Sequence, residues 1–322
     1  MVSLVIPNFN GAHLLEKNLP KIEEALALSN KKAEIIVVDD ASSDGSVNYI
    51  KNQILSIRQA QDKNIKNTDK KIEIKLLQNE KNMGFSSTVN RGVGRATGEI
   101  VILLNTDAYP QKDFLRYLLP HFEDERIFAV GCMDKSVEDG KHILRGRGLG
   151  KWERGFLAHR RGNVDREDTL WVSGGSGVFR KSTWEKLGGL NELYNPFYWE
   201  DIDLSYRAQK SGYSILFEPR SVVVHEHSKG SIKTHYSDFK VKSIAYRNQF
   251  VFVWTNITDI NFQLSHIVWL PYHFLKALMR MDLPFFMGFF NALTLLPKII
   301  KSSSKYQKQF LRKDKEIIKL YE

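Results

Sequence analysis

Along most of the chain, short apolar runs rich in β-branched residues alternate with stretches of helical periodicity. Residues 2–7 (VSLVIP) predict a strand, 8–11 a turn, and the apolar spacing over 13–28 a helix. A second strand is predicted at 34–39 (EIIVVD), with Ser43 and Ser46 opening the next helix. Residues 58–71 are polar and lysine-rich, as in a surface connection. The pattern then predicts a strand at 72–77, a helix at 87–96, a strand at 100–104, a helix at 111–122 and a strand at 127–132. This β-α rhythm belongs to a parallel sheet flanked by helices.

Residues 134–170 are rich in Gly, Arg and Lys and weakly periodic, which predicts loops and at most a hairpin. A glycine-broken strand is expected at 171–179, then helices at 182–187 and 200–210, the latter with acids in its first turn and Gly212 just beyond its end. Short strands follow at 213–217 and 221–224. After residue 240 three aromatic-rich runs, 250–254, 267–279 and 283–296, predict helices broken at Pro271, Pro284 and Pro297.

Charge changes this picture. The 322 residues carry 47 Lys+Arg and 37 Asp+Glu, a net +10 that taken alone invites a nucleic-acid partner. Its distribution removes that reading, because residues 1–228 hold 32 basic and 31 acidic side chains, whereas 229–322 hold 15 and 6. The chain therefore divides into a nearly neutral domain, 1–228, and a basic helical region, 229–322. In the second region the basic residues are too dispersed among long apolar runs for a groove-binding helix, so no nucleic acid is expected. Its helices can pack on the first domain as core. They can also lie in the plane of an anionic membrane surface with Lys276, Arg280, Lys298, Lys301 and Lys305 at headgroup level, the placement favoured here.

No stretch supplies the roughly 18 apolar residues of a spanning helix, and the first fifteen residues lack a secretory pattern. The expectation is a cytoplasmic protein held peripherally at the inner face of the cytoplasmic membrane. The single cysteine, Cys132, excludes an intrachain disulfide and a cysteine-based zinc site, so any metal must take oxygen or imidazole ligands.

Three predicted strands end in polar clusters: Pro7 with Asn8 and Asn10, Asp39 with Asp40 and Ser42, and Asn105 with Thr106 and Asp107. In open α/β sheets the ligand lies outside such carboxyl ends. Neither GxGxxG nor GxxxxGK[ST] follows the first strand, which argues against a dinucleotide dehydrogenase and a P-loop NTPase. Each carboxylate also has a plainer role open to it. Asp107 can close a turn, Asp40 can begin one, and Glu200 with Asp201 can simply complement a helix dipole.

Read in order, VSLVIPNFNG (2–11), EIIVVDDASSDGS (34–46), NEKNMGFSSTVNRGVGRATGE (79–99), ILLNTDAYP (102–110), VSGGSGVFRKSTWEKLGGLNE (172–192), FYWEDIDLSYRAQKSGY (197–213) and VVVHEHSKGS (222–231) resemble the family 2 glycosyltransferases. The resemblance implies an α/β fold of the GT-A nucleotide-sugar-binding type, a mainly parallel sheet flanked by helices, with a C-terminal helical extension. It further implies inverting transfer of a sugar from a UDP- or dTDP-sugar to a hydroxyl of a glycan or lipid-linked cell-surface acceptor. A polyprenyl-phosphate sugar synthase and a non-catalytic nucleotide-sugar or glycan-binding module at the membrane are the alternatives.

By the same resemblance Pro7, Asn8 and Asn10 pack the base, and one of Asp39 and Asp40 accepts the imide N–H of a uracil or thymine. Gly84 and Asn90 belong to the segment over the ribose and phosphates. Asn105 and Asp107 stand where the family has Asp-x-Asp, leaving one carboxylate for a divalent cation, Mg²⁺ or Mn²⁺, that neutralises the departing diphosphate. His225, with His227 as the alternate, matches a histidine that completes the metal site. Asp201 matches the base that takes the acceptor proton, Glu200 orients it or touches the acceptor, and Asp203 is expected to face solvent or cap the helix. Gly174, Gly175 and Trp199 fall on the acceptor side, and Arg180 and Lys181 are expected as surface or phosphate-facing charges.

Overall fold

The computed structural model describes residues 1–29, 31–62, 72–138, 141–225 and 236–322. Strands β1 (Val2–Asn8), β2 (Ala33–Asp39), β3 (Glu73–Gln78) and β4 (Ile100–Leu103) form a parallel block in the order β3-β2-β1-β4. The strand order reverses at β1, so a crevice opens at the carboxyl ends of β1, β2 and β4. The sheet continues with an antiparallel strand, β10 (Gly177–Arg180), then β6 (Ile127–Glu138), β11 (Ser214–His225) and β5 (Ala108–Pro110). Strand β7 (Lys141–Arg145) pairs with β6, and β8 (Gly148–Glu153) with β9 (Phe156–Arg161) makes a separate hairpin.

Almost every residue of β1 is buried, which is why VSLVIP reads as one continuous apolar run. Its alternate side chains feed two cores. Leu4 and Ile6 join Leu15, Leu19 and Ile22 of α1 (Ala12–Leu28), while Val5 joins Val89 and Val93 of α3 (Phe85–Arg95). Helices thus cover both faces, as a parallel sheet requires.

A third core ties the C-terminal helices to the rest. Leu149, Phe156 and Leu157 of the hairpin, Trp199, Ile202 and Tyr206 around α6 (Glu200–Lys210), and Phe250 and Phe252 of α7 (Asp238–Asn256) belong to one buried cluster. Beyond α7 lie α8 (Ile260–Met279), α9 (Leu283–Thr294), α10 (Leu296–Gln307) and α11 (Asp314–Ile318). Tyr206 Oη and Lys210 Nζ each donate to Asp314 Oδ1 at 2.7 Å, so α6 is fastened to the chain end by a fully buried ion pair. Helix α7 and the chain end therefore pack as core, against the placement favoured from sequence. Many outward side chains of α8 and α9 nevertheless stay exposed, among them Val268, Leu278 and Met279. Among the described residues no single helix is long and apolar enough to cross a membrane, although α9 and α10, bent by 66°, reach that length and composition together. The expected boundary at 228/229 falls outside the described residues.

Several elements differ from expectation for identifiable reasons. The region 134–170 contains more strand than its polarity suggested, because β6 gains a long ladder with β11 and a partner in β7. Of the expected 171–179 strand only 177–179 is regular, as the start of β10 (Gly177–Arg180), since the backbone before it is spent on the site described below. The helix expected at 111–122 is one short α4 (Phe114–Leu118) followed by a 3-10 turn. Pro271 lies inside α8 without ending it, whereas Pro284 and Pro297 open α9 and α10, where a missing N–H leaves nothing unpaired.

Candidate active site

The polar strand ends converge as anticipated. Asn8 Nδ2 donates to Asp39 Oδ1 at 2.8 Å and to Ser42 Oγ at 3.2 Å, and the Asn10 amide donates to the same hydroxyl at 2.9 Å. The backbone N–H of Asp40 donates to the Asn8 carbonyl at 2.8 Å, joining the ends of β1 and β2. The two aspartates differ in what they have left to offer. Asp40 already receives Asn79 Nδ2 and the Met83 amide on one oxygen and the Gly84 amide on the other, so it anchors the 79–84 segment. Asp39 receives one donor per oxygen, from Asn8 and Ser42, and keeps acceptor capacity for a base edge.

Gly84 sits at φ 84, and a Cβ there would come within 2.8 Å of Asn195, so the close approach admits only glycine. Asn90, expected within the segment over the ribose and phosphates, has its side chain engaged by the protein itself. Its amide bonds the backbone of Leu190 in both directions, at 2.8 and 2.9 Å, and ties α3 to the loop before α6. Arg180 is likewise a structural residue, donating to the carbonyls of Phe122, Asp124 and Ile127.

At the end of β11, His225 lies between two carboxylates. Its Nε2 is 2.9 Å from Asp107 Oδ1 and its Nδ1 is 3.0 Å from Asp134 Oδ2. Burial opposes its charge, but the two acids outweigh burial and raise its pKa to about 9. A carboxylate holding one ring nitrogen is the arrangement that orients a metal-binding histidine. Asp107 and His225 would hold a divalent cation once the ring gives up the Nε2 proton that now joins them, with further oxygens from a diphosphate and Asp134 behind the ring. Among the described residues no three His, Cys, Asp or Glu side chains form a chelating group on their own. His227 lies outside the described residues.

The acid pair occupies the start of α6. The carboxylate of Asp201 accepts from the backbone N–H of Gly174 and, at 2.8 Å, from that of Ile202. Gly175 packs against Asn105, where a Cβ would approach Nδ2 to 2.6 Å, and its carbonyl accepts from the Asn105 amide at 3.0 Å. These two glycines thus join Asp201 to the strand end that carries Asp107. Surrounding bulk raises the carboxyl of Asp201 above its usual range, and burial with the neighbouring Asp201 charge pushes Glu200 much further up. Glu200 is 8% exposed and its Oε2 has no hydrogen-bond partner, an acid directed at something the protein itself does not supply.

Asp203 neither faces solvent nor caps. It is fully buried, accepting from Tyr194 Oη at 3.0 Å, Arg207 Nε at 2.7 Å and Asn256 Nδ2 at 2.7 Å, and it locks α6 to α7. Sequence reasoning also missed Asp134 and the pair Arg247-Asn248. Arg247 donates to the Asn195 carbonyl at 2.6 Å, and Asn248 donates to the carbonyls of Phe197 and Tyr198 at 2.9 and 2.8 Å. An Arg-Asn pair interrupting an aromatic helix was the available signal.

The comparisons agree with this geometry. The S. aureus TarS 1-349 structure in complex with UDP-GlcNAc matches at a TM-score of 0.57 with 16% identity, covering 99% of this chain and 91% of that one. GalNAc-T7 with UDP, GalNAc and Mn2+ gives a TM-score of 0.57 at 16% identity, covering 81% of this chain and 48% of that one. These likenesses show the GT-A fold. Among curated proteins, poly-beta-1,6-N-acetyl-D-glucosamine synthase of Staphylococcus aureus (strain COL) is 26% identical over 229 residues, 68% of this chain and 48% of the relative. The chain spans between a third and a half of the length of the curated relatives it matches. Residues 3–188 match Glycosyl transferase family 2, and residues 100–295 match Glycosyl transferase family group 2. With that match running through the strand ends that gather Asn8, Asp39 and Asp107, the chain belongs to glycosyl transferase family 2.

Proposed function

We propose that this chain transfers a sugar, with inversion, from a uridine or deoxythymidine diphosphate donor to a hydroxyl of a lipid-linked cell-surface glycan. The observation that carries this reading is Asp201: a carboxylate of raised pKa, fixed by the Gly174 amide, on the same edge as Asn105, Asp107 and His225. Such a group accepts the acceptor's proton as the hydroxyl oxygen bonds to the anomeric carbon and the carbon–oxygen bond to the diphosphate breaks. Asp39, with its spare acceptor capacity, selects a base bearing an imide N–H. The UDP and UDP-GlcNAc of two structural neighbours support a uridine donor, although a third, a mannosyltransferase, is in complex with GDP-Man. Asp107 and His225 would hold Mg²⁺ or Mn²⁺, which supplies positive charge to the leaving diphosphate, and the Mn2+ of a neighbour supports the same choice.

The exposed apolar side chains of α8 and α9, with Arg280, Lys298, Lys301 and Lys305 exposed nearby in the chain, support a peripheral place on the inner face of the cytoplasmic membrane. The test of the enzymatic reading is Asp201→Asn assayed against a panel of UDP- and dTDP-sugars. Transfer should disappear while UDP with Mn²⁺ still binds in calorimetry. Retained turnover would remove Asp201 as the base, and wild-type protein that binds donors but never hydrolyses or transfers them would be a binding module instead.

A further inference from the structure

A second cavity system lies away from the sheet edge, between the β8–β9 hairpin, the turn that precedes Glu200, and the C-terminal helices. Its larger part, about 540 Å³, is lined by His159, Trp199, Lys242, Tyr246, Arg280 and Asp282 among others. A neighbouring part of about 310 Å³ shares Tyr246, Arg280 and Asp282 and adds Arg154, Lys276 and Glu153. The two parts form one groove.

Its charge is uneven. Four cations, Lys242, Arg280, Arg154 and Lys276, face two acids, and both acids are already engaged. Asp282 accepts from Tyr246 Oη at 2.6 Å, and Glu153 pairs with Lys151 at 2.9 Å. Lys242 and Arg280 make no ion pair with a described residue, and with Asp282 as the one acid in its lining the larger cavity keeps a net positive wall. Cations held at one concave wall favour an anion that can bridge them.

The rest of the lining says what kind of anion. It includes Trp199, the residue directly before Glu200, with the His159 ring edge-on to it at 5.0 Å. It also includes Met281, which is 83% exposed and close in sequence to the exposed apolar side chains Leu278, Met279 and Leu283.

We propose that this groove is the acceptor site, and that Lys242 and Arg280 bind a phosphate or diphosphate joining the acceptor glycan to its carrier. The inference rests on the glycosyltransferase reading above and adds to it the chemical class of the acceptor. The glycan would point past Trp199 toward Asp201, and a lipid carrier would leave over Met281 and Leu283. The phosphate could also belong to a soluble glycan phosphate, and the experiment separates the two sources.

With UDP and Mn²⁺ saturating the donor site, farnesyl diphosphate in phosphatidylcholine vesicles and inorganic pyrophosphate are titrated separately by calorimetry. Wild-type protein and a Lys32→Gln control, an exposed lysine directly before β2 and outside the groove, should bind, and the double variant Lys242→Gln/Arg280→Gln should lose about tenfold or more in affinity. Farnesyl diphosphate binding at least tenfold tighter than pyrophosphate identifies a lipid carrier, whereas equal binding identifies a soluble phosphate. Equal affinities for wild type and double variant, or no binding of either probe by wild type, overturn the proposal. Both mutated side chains are exposed, so UDP affinity should be unchanged in the variant. Failure of the donor reading itself would show instead as wild-type protein that does not bind UDP.

Discussion

Asn248 donates its side-chain amide to the carbonyl of Tyr198 at 2.8 Å, and Tyr198 and the following Trp199 both hold left-handed backbone, at φ 73 and 77. Two bulky residues in succession at positive φ are costly and persist only where their surroundings enforce them. The enforcing group comes from α7, whose Asn248 also reaches the carbonyls of Tyr194 and Phe197, at 3.2 and 2.9 Å. The turn that leads into Glu200 and Asp201 is thus held by a helix from the region that the sequence separated from the first domain.

Asn248→Ala removes the donor shared by three carbonyls and should cost about 1–3 kcal/mol of stability. The turn that aims Glu200 and Asp201 loses its clamp, so kcat should fall on the order of tenfold to a hundredfold. UDP affinity should hold, because Asn8, Asp39 and Ser42 lie on β1, on β2 and in the loop after β2. Chemical denaturation, steady-state transfer and UDP calorimetry check the three parts. Unchanged kcat in a folded variant would remove Asn248 as a positioning residue.

The pH dependence of transfer follows from the acid pair. Asp201 must be deprotonated to take a proton, and its pKa is raised, chiefly by burial, although backbone donors work against the rise. Activity should therefore fall as pH drops through a limb lying above the ordinary aspartate range, and be restored as pH rises through it. Glu200, raised further still, titrates together with its neighbour, so the limb reports the pair and not one residue. A profile of kcat against pH by UDP release measures it. An acid limb at the value of an exposed aspartate would contradict the buried environment.

Asp134 stands behind His225, with its Oδ2 3.0 Å from the ring Nδ1, and is expected to act through that ring. Asp134→Asn keeps the size of the side chain but removes the charge that orients the ring. Mn²⁺ affinity in the presence of UDP should weaken about tenfold to a hundredfold, as for other groups behind a metal ligand. Asp107→Asn, which removes the remaining carboxylate of the Asn105-Thr106-Asp107 segment, should weaken it more. Electron paramagnetic resonance of free Mn²⁺ reads both. Equal affinity in all three proteins would place the cation elsewhere.

Much of this site was legible because it sits where regular structure ends. Asn8, Asp39 and Asp107 follow buried apolar runs, and a strand's period fixes both its position in the sheet and the edge at which it stops. What lay hidden depends on contacts distant in sequence. Asp134 is one polar residue inside β6 and becomes meaningful only when β11 brings His225 beside it. Asp203 looked like a helix-surface acid until Arg207, Tyr194 and Asn256 closed around it. The packing of α7 was equally unreadable, because beyond its exposed first turn the helix is buried on most sides and has no apolar stripe to separate core from membrane.

That packing also decides how membrane attachment must be tested. Truncation near residue 240 would remove Asn248, Phe250 and Phe252 with the rest of the third core, and any loss of vesicle binding would then report unfolding. Val268 and Leu278, at 72% and 66% exposure on α8, can be changed without opening that core. Val268→Glu/Leu278→Glu replaces apolar contact with charge that an anionic surface repels. Its melting temperature should stay within a few degrees of wild type, about what a surface change of a few tenths of a kcal/mol produces. Flotation with vesicles containing phosphatidylglycerol should drop severalfold. Full flotation of the double variant would remove α8 from the attachment surface, whereas wild-type protein that never floats would remove the surface altogether.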